Sequence, residues 1–241
     1  MPSATVEELL QPLRDASERS AVLLDVDGVL APIVDVPADA AVPAETKAEL
    51  LRLHGRYALV ACVSGRPSPD ARRVVGLDEL VYVGEHGLEL EPGAERWRER
   101  LLRFGETVDW DDIEPKPLTI SFHYRRAEDE QEARRVLEAV AARARAEGFV
   151  ARFGRMVLEL RPPLDANKGT AVTHLLGERG LRRALYAGDD TTDLDAFRAL
   201  EGLELGLRVA VASPEGPPEL REAADLLVDG PAAMLELLQR L

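Results

Sequence analysis

Five short apolar runs punctuate the chain, each ending on small or polar residues: AVLL before Asp25, ALVACV before Ser64, LVYV before Gly84, ALYAG before Asp189 and VAVA before Ser213. Runs this short are too brief for core helices and suit strands buried on both faces of a parallel sheet. Between them lie stretches with helical spacing, AETKAELLRLHG, SPDARRVVG, KGTAVTHLLGERG and TDLDAFRAL, several closed by a glycine able to cap a helix C-terminus. The alternation predicts an α/β fold built on a doubly wound parallel sheet. In such sheets ligands bind outside the carboxyl ends of the strands. Asp25, Asp27, Ser64, Asp189 and Asp190 are therefore expected along one edge.

Residues 91–163 break this rhythm. A charged segment with Trp97 and Trp110 precedes KPLTISFHYR, in which Leu118, Ile120, Phe122 and Tyr124 alternate with Thr119, Ser121, His123 and Arg125. The helical stretch EDEQEARRVLEAVAARARAEG follows, then FVARFGRMVLELRP, where Met156, Leu158 and Leu160 oppose Val157, Glu159 and Arg161. The pattern predicts an antiparallel sheet backed by a helix and open on its other side. It reads as a smaller α+β domain (91–163) inserted into a parallel-sheet core (1–90 and 164–241), with hinges near Gly87–Gly93 and Pro162–Asp165.

Charge and cysteine content narrow the partners. With 44 acidic against 30 basic residues, the formal charge is -14. That leaves no basic field for a phosphodiester backbone or an anionic membrane, so neither is an expected partner. A small anionic substrate stays open, because a metal ion and a few placed basic groups reverse the local potential inside an acidic protein. Cys62 is the lone cysteine and sits in an apolar run, where it reads as a small buried hydrophobe. No stretch approaches membrane-spanning length, and MPSATVEELLQPL lacks a basic-then-apolar leader. The expectation is a cytoplasmic, monomeric enzyme or binding protein.

Asp25 and Asp27 end a buried run, and Gly28 lets the chain turn so that the two carboxylates can take different roles. A carboxylate can act as a nucleophile toward phosphorus; a solvated strand-to-loop junction is the plainer alternative for this pair alone. GDDTTDLDAF places four carboxylates within seven residues, a density of hard oxygen ligands that suits Mg²⁺. The glycine and glutamate spacing of an EF-hand is absent there, although Thr192 or Asp193 could simply cap a helix. ANKGT and VSGR are not Walker loops, but each can offer a phosphate its hydroxyl, backbone N–H groups or ammonium near a helix start. Singly, Lys168 reads as a surface lysine and Ser64 as a turn residue; in this chain order and at these strand ends, the four features reinforce one another.

DVDGV, VSGR, NKGT and GDDTTD resemble the four motifs of the haloacid dehalogenase superfamily of phosphatases, and the insertion resembles that superfamily's type IIB cap. Within it, LAPIV with PADA, GEHGLE, SFHYR, VLELRP and GDDTTDLDAF are most similar to the trehalose-6-phosphate phosphatases, except that Val29 stands where threonine is common. The resemblance implies Asp25 as nucleophile and Asp27 as general acid and then base. It implies Mg²⁺ held by Asp25, the Asp27 backbone carbonyl and Asp189, with Asp190 or Asp193 in support. Ser64, Gly65 and Lys168 would bind the phosphoryl group, and the cap would close over the sheet edge. Arg66, Glu85, His86, Lys116, His123, Arg125 and Glu159 would meet the sugar. Two alternatives remain: the same chemistry on another sugar phosphate, such as a glycosyl-3-phosphoglycerate or sucrose phosphate, and a non-catalytic sugar-phosphate sensor.

Overall fold

The structure is a computed structural model that describes residues 5–34, 36–154, 156–213 and 216–241. Its strands are β1 (Ala21–Leu24), β2 (Leu59–Val63), β3 (Val81–Val83), β4 (Ile113–Pro115), β5 (Ile120–His123), β6 (Val150–Gly154), β7 (Val157–Arg161), β8 (Arg183–Gly188), β9 (Leu205–Ala212) and β10 (Leu226–Asp229). Its helices are α1 (Val6–Asp15), α2 (Ala44–His54), α3 (Ser68–Val75), α4 (Glu95–Glu106), α5 (Glu130–Ala146), α6 (Lys168–Glu178), α7 (Asp193–Ala199), α8 (Pro218–Ala223) and α9 (Gly230–Gln239).

The chain divides into two units. The first comprises the residues up to Gly87 together with Ala166–Leu241, and the second is Leu88–Asp165. In the first, six strands form a parallel sheet in the order β10-β9-β8-β1-β2-β3. β1 and β2 are buried at every position, which is why both read as unbroken apolar runs. From β1 the chain moves outward through β2 and β3, and β8 returns on the opposite flank of β1. The direction of winding therefore reverses between β1 and β8, and such a switch point opens a crevice at the strands' carboxyl ends. The four helices read from the sequence form as α2, α3, α6 and α7. Gly76 ends α3 at φ 71, a left-handed conformation that glycine adopts without a Cβ penalty. α1, α8, α9 and β10 escape the apolar-run reading; α1 is fixed instead by a capping box between Thr5 and Glu8.

The second unit holds the antiparallel sheet, in the order β4-β5-β7-β6. Phe122, Leu158 and Leu160 pack with Leu137, Val140 and Ala141 of α5 and with Leu101 and Phe104 of α4. The charged segment around Trp97 forms an amphipathic helix: only one stripe of α4 is apolar, and its many arginines mask the period. The strand expected over KPLTISFHYR is shorter, because Lys116 N–H donates to Thr119 O (2.9 Å) and turns the chain back on β4. Nor is the polar face open along its length. Thr119 and Ser121 are buried, and Ser121 lies in register between Glu114 of β4 and Glu159 of β7. Among the described residues, no helix is long and apolar enough to cross a membrane.

Candidate active site

Where β1 ends, Asp25 N–H still donates to Ala187 O of β8 (2.9 Å), so the carboxylate stands at the switch point between the two strands. The chain then coils tightly. Leu30 and Ala31 N–H both return to Val26 O (2.9 Å each), and Gly28 passes through φ 77. A Cβ on Gly28 would lie 2.1 Å from Asp189 Oδ2, so the glycine serves conformation and close approach together.

Four ionisable side chains converge here although almost no water reaches them: Asp25 is 6 % exposed, Asp189 8 %, Lys168 2 % and Asp193 0 %. Lys168, delivered at the start of α6 by the capping box of Asn167 and Thr170, donates to Asp25 Oδ2 (2.6 Å) and to Asp193 Oδ1 (2.7 Å). Asp193 organises the rest. Its Oδ1 also accepts from the Tyr186 hydroxyl (2.7 Å), and its Oδ2 accepts from Asp189 and Asp190 N–H (3.0 Å each). Gly188 makes this possible, because a Cβ there would sit 2.2 Å from Asp193 Cγ.

Burial and mutual repulsion both act on the carboxyl groups of Asp25 and Asp189. Burial pushes the Asp25 carboxyl up to about 7, against the pull of Lys168 and with the push of Asp193. Burial, with the charges of Asp25 and Asp193 pushing the same way, raises Asp189 to about 8 against the pull of Lys168. Burial opposes the charge of Lys168, but Asp193 and Asp25 outweigh it and hold the ammonium protonated. Three carboxyl groups thus face one ammonium, and hard oxygen donors gathered this closely suit a divalent cation. Asp25, Asp189 and Asp193 each bring a carboxylate oxygen within 4.8 Å of the others, and these residues could hold a metal ion. Both Asp193 oxygens are already taken by four donors, so Asp25 and Asp189 are the better ligands.

The remaining expected residues fall into distinct places. Asp190 is not in the cluster: it is exposed, and its Oδ1 accepts from Thr191 N–H and Oγ1, closing a local turn. Asp27 meets Arg66, whose Nε and Nη2 reach its two oxygens at 2.7 and 2.8 Å. Arg66, expected against substrate, directs most of its donors into the protein itself. Ser64 is buried and accepts from Arg66 N–H (3.2 Å). Gly65 faces the His86 ring, which a Cβ there would meet at 2.7 Å. Glu85 and His86 both adopt positive φ (48 and 55) and tie this segment to the VSGR loop through Glu85 N–H to Arg66 O and His86 N–H to Ser64 O (3.0 Å each). Such backbone in non-glycine residues costs energy and concentrates at functional sites. Val29 is fully buried in the apolar core, so the family's threonine position is here a packing position.

On the antiparallel sheet, His123 Nε2 lies 3.0 Å from Glu114 Oε2, Lys116 Nζ lies 3.6 Å from the same oxygen, and Glu159 stands opposite Ser121. Arg125 is not part of this face: β5 stops at His123, and Arg125 is exposed in the turn that follows. Sequence reasoning missed Glu114, whose signal was the E-x-K alternation that puts Glu114 and Lys116 on one side of an extended segment. It also missed Tyr186, hidden inside an apolar run, and treated Asp193 only as a supporting ligand or a cap.

Comparison with known proteins supplies a family for this geometry. The family model described as trehalose-phosphatase matches residues 23–231. A trehalose-phosphate phosphatase of Mycobacterium avium is 34 % identical over 94 % of this chain, which spans 63 % of that relative's length. A solved trehalose-6-phosphate phosphatase related protein superposes with a TM-score of 0.74 at 27 % identity, covering 91 % of this chain and 95 % of that one. The C-terminal domain of the C. albicans trehalose-6-phosphate phosphatase has a TM-score of 0.76, with coverage of 98 % and 96 %; at 23 % identity it speaks for the fold. All four motif segments fall inside the matched region, and the buried cluster at the β1–β8 switch point is assembled from three of them: the chain belongs to the trehalose-phosphatase family.

Proposed function

We propose that this protein is a Mg²⁺-dependent phosphatase that hydrolyses trehalose 6-phosphate to trehalose and inorganic phosphate, the last step of trehalose biosynthesis, as a cytoplasmic monomer. The observation that carries the proposal is the buried constellation of Asp25, Lys168 and Asp189 at the switch point, with Asp27 two residues on.

Asp25 is the nucleophile: a carboxylate oxygen attacks phosphorus, the bond from phosphorus to the sugar oxygen breaks, and phospho-Asp25 forms. Asp27 gives its proton to the departing sugar oxygen. It then takes a proton from the water that attacks phospho-Asp25, which restores the Asp25 carboxylate and releases phosphate. Lys168 and the Ser64–Gly65 segment offset and orient the charge on the transferring group. Asp25 and Asp189 would hold Mg²⁺ with the Asp27 carbonyl, and the bound cation would supply charge neutralisation between an anionic nucleophile and an anionic phosphate. Sugar recognition is assigned to the polar face bearing Glu114, Lys116, His123 and Glu159, whose donors and acceptors suit a hydroxyl-rich ligand.

A panel of sugar phosphates assayed with and without chelator tests this reading. Trehalose 6-phosphate should be the preferred substrate, chelator should abolish turnover, and Asp25→Ala should be inactive. Faster turnover of another sugar phosphate would overturn the substrate, and full activity of Asp25→Ala would overturn the covalent step.

A further inference from the structure

Arg66 lies 39 positions from Asp27 in sequence, yet its guanidinium grips that carboxylate side-on, with Nε to Oδ2 at 2.7 Å and Nη2 to Oδ1 at 2.8 Å. The grip is itself braced. Nη1 donates to Asp70 Oδ2 (2.6 Å) and to Pro37 O (3.0 Å), while Asp70 Oδ1 is held by Arg73 Nε (2.9 Å). The Arg66 side chain is only 13 % exposed, whereas Asp27 keeps 37 %. The main chain of Arg66 is fastened as well, its N–H to Ser64 Oγ and its carbonyl to Glu85 N–H. One residue thus ties together the segment after β1, the VSGR loop and α3, and the one carboxylate it fixes at both oxygens is the more exposed of the DVDG pair.

Two lone pairs remain on the Asp27 carboxylate after a side-on fork takes the other two, so the grip leaves a position from which a proton can be given or taken. It does restrict the plane and reach of the carboxyl group, and a proton-transfer residue loses much of its effect when its geometry slips by an ångström. We propose that Arg66 is a positioning residue: its braced fork sets the plane of the Asp27 carboxyl group, which carries its proton on a lone pair that the fork leaves free and gives it to the leaving oxygen, and Arg66 is neither a sugar contact nor a phosphoryl ligand. The inference rests on the reading of Asp27 as acid and base given above.

The test compares leaving groups. Trehalose 6-phosphate departs as a sugar alkoxide that needs a proton, and p-nitrophenyl phosphate departs as nitrophenolate, which needs none. Single-turnover rates of the first bond cleavage are measured on the Mg²⁺-loaded enzyme for wild type, Arg66→Ala, Arg66→Lys and Asp27→Asn. With general acid catalysis worth about 10²–10⁴-fold, Arg66→Ala should lose roughly 10²-fold on trehalose 6-phosphate and at least about tenfold less on the nitrophenyl ester. Arg66→Lys should fall between, because a point charge cannot grip one carboxylate at both oxygens and also reach Asp70. KM for the sugar phosphate should stay near the wild-type value. Equal losses on both substrates, a rise in KM at unchanged kcat, or no loss would each overturn the proposal. If Arg66→Ala fails to fold, as judged by its melting transition, Arg66→Lys and Asp70→Asn carry the same ratio test. Asp27→Asn separates the two levels: if it shows the selective loss and the Arg66 variants do not, the inference fails alone, whereas an unselective Asp27→Asn overturns the reading of Asp27.

Discussion

Replacing Asp193 by asparagine removes one negative charge and one acceptor from a side chain that no solvent reaches. Its four partners, Lys168 Nζ, the Tyr186 hydroxyl and the Asp189 and Asp190 N–H groups, are all used as donors to it. The best asparagine rotamer keeps its carbonyl on the two backbone N–H groups and points its NH₂ at Tyr186 and Lys168. The tyrosine hydroxyl can turn and accept. The ammonium cannot, so the Lys168–Asp193 pair is replaced by two donors facing each other. Breaking one side of a buried ion pair costs about 3–5 kcal/mol. Part of that returns, because Asp25 and Asp189 lose a repelling neighbour. We expect a net loss of about 3 kcal/mol, which for a chain of this length lowers the melting temperature by roughly 6–12 °C. Thermal melts of the metal-free protein in low-salt buffer read this directly. Asp190→Asn makes the same chemical change three positions away on an exposed carboxylate, and should cost less than about 0.5 kcal/mol. An Asp193→Asn protein that melts with wild type, or no lower than Asp190→Asn, would refute the view that Asp193 organises the cluster.

Gly188→Ala should abolish activity and lower the melting temperature, since its new methyl would lie 2.2 Å from Asp193 Cγ and push that carboxylate off the Asp189 and Asp190 N–H groups. Retained activity in a phosphatase assay would show that the turn can open without cost. pH offers a second handle. Folding raises the carboxyls of Asp25 and Asp189 from an ordinary value of 3.8 to about 7 and about 8, so the native state keeps protons that the unfolded chain has released. Their contribution to metal-free stability is complete below about pH 4 and is lost as pH climbs toward 8. Mg²⁺ competes with those protons, so the rise in melting temperature on adding Mg²⁺ should grow between pH 5 and 8. A rise that is flat or falls across that range would count against Asp25 and Asp189 as the ligands.

Much of the architecture was legible because burial on both faces leaves a plain mark: β1 and β2 are unbroken apolar runs, β8 is one after Arg183, and the chemistry follows directly at their ends. The helices with glycine stops were legible for a similarly local reason. α4 was not, because its apolar stripe is narrow and lies among charges, and the start of KPLTISFHYR was misread as strand because alternation also runs through the hairpin turn. Val29 could be read as a gap in a motif, but not as the core side chain that the tight turn after Asp25 makes it.

By itself the sequence determined the buried strands β1, β2 and β8, the helices α2, α3, α6 and α7, their alternation, and the strand ends that carry Asp25, Ser64 and Asp189, since each of these depends on periodicity along one element. Only the tertiary structure decided which of neighbouring carboxylates turns inward. Asp193 rather than Asp190 completes the cluster because Gly188 lets the turn after β8 close on the start of α7. It alone decided that Arg66 belongs to Asp27, a pairing of side chains delivered by β1 and its neighbour β2. A hydrogen-bond partner is fixed by strand order and by the path of a turn, and neither leaves a periodic trace in the chain.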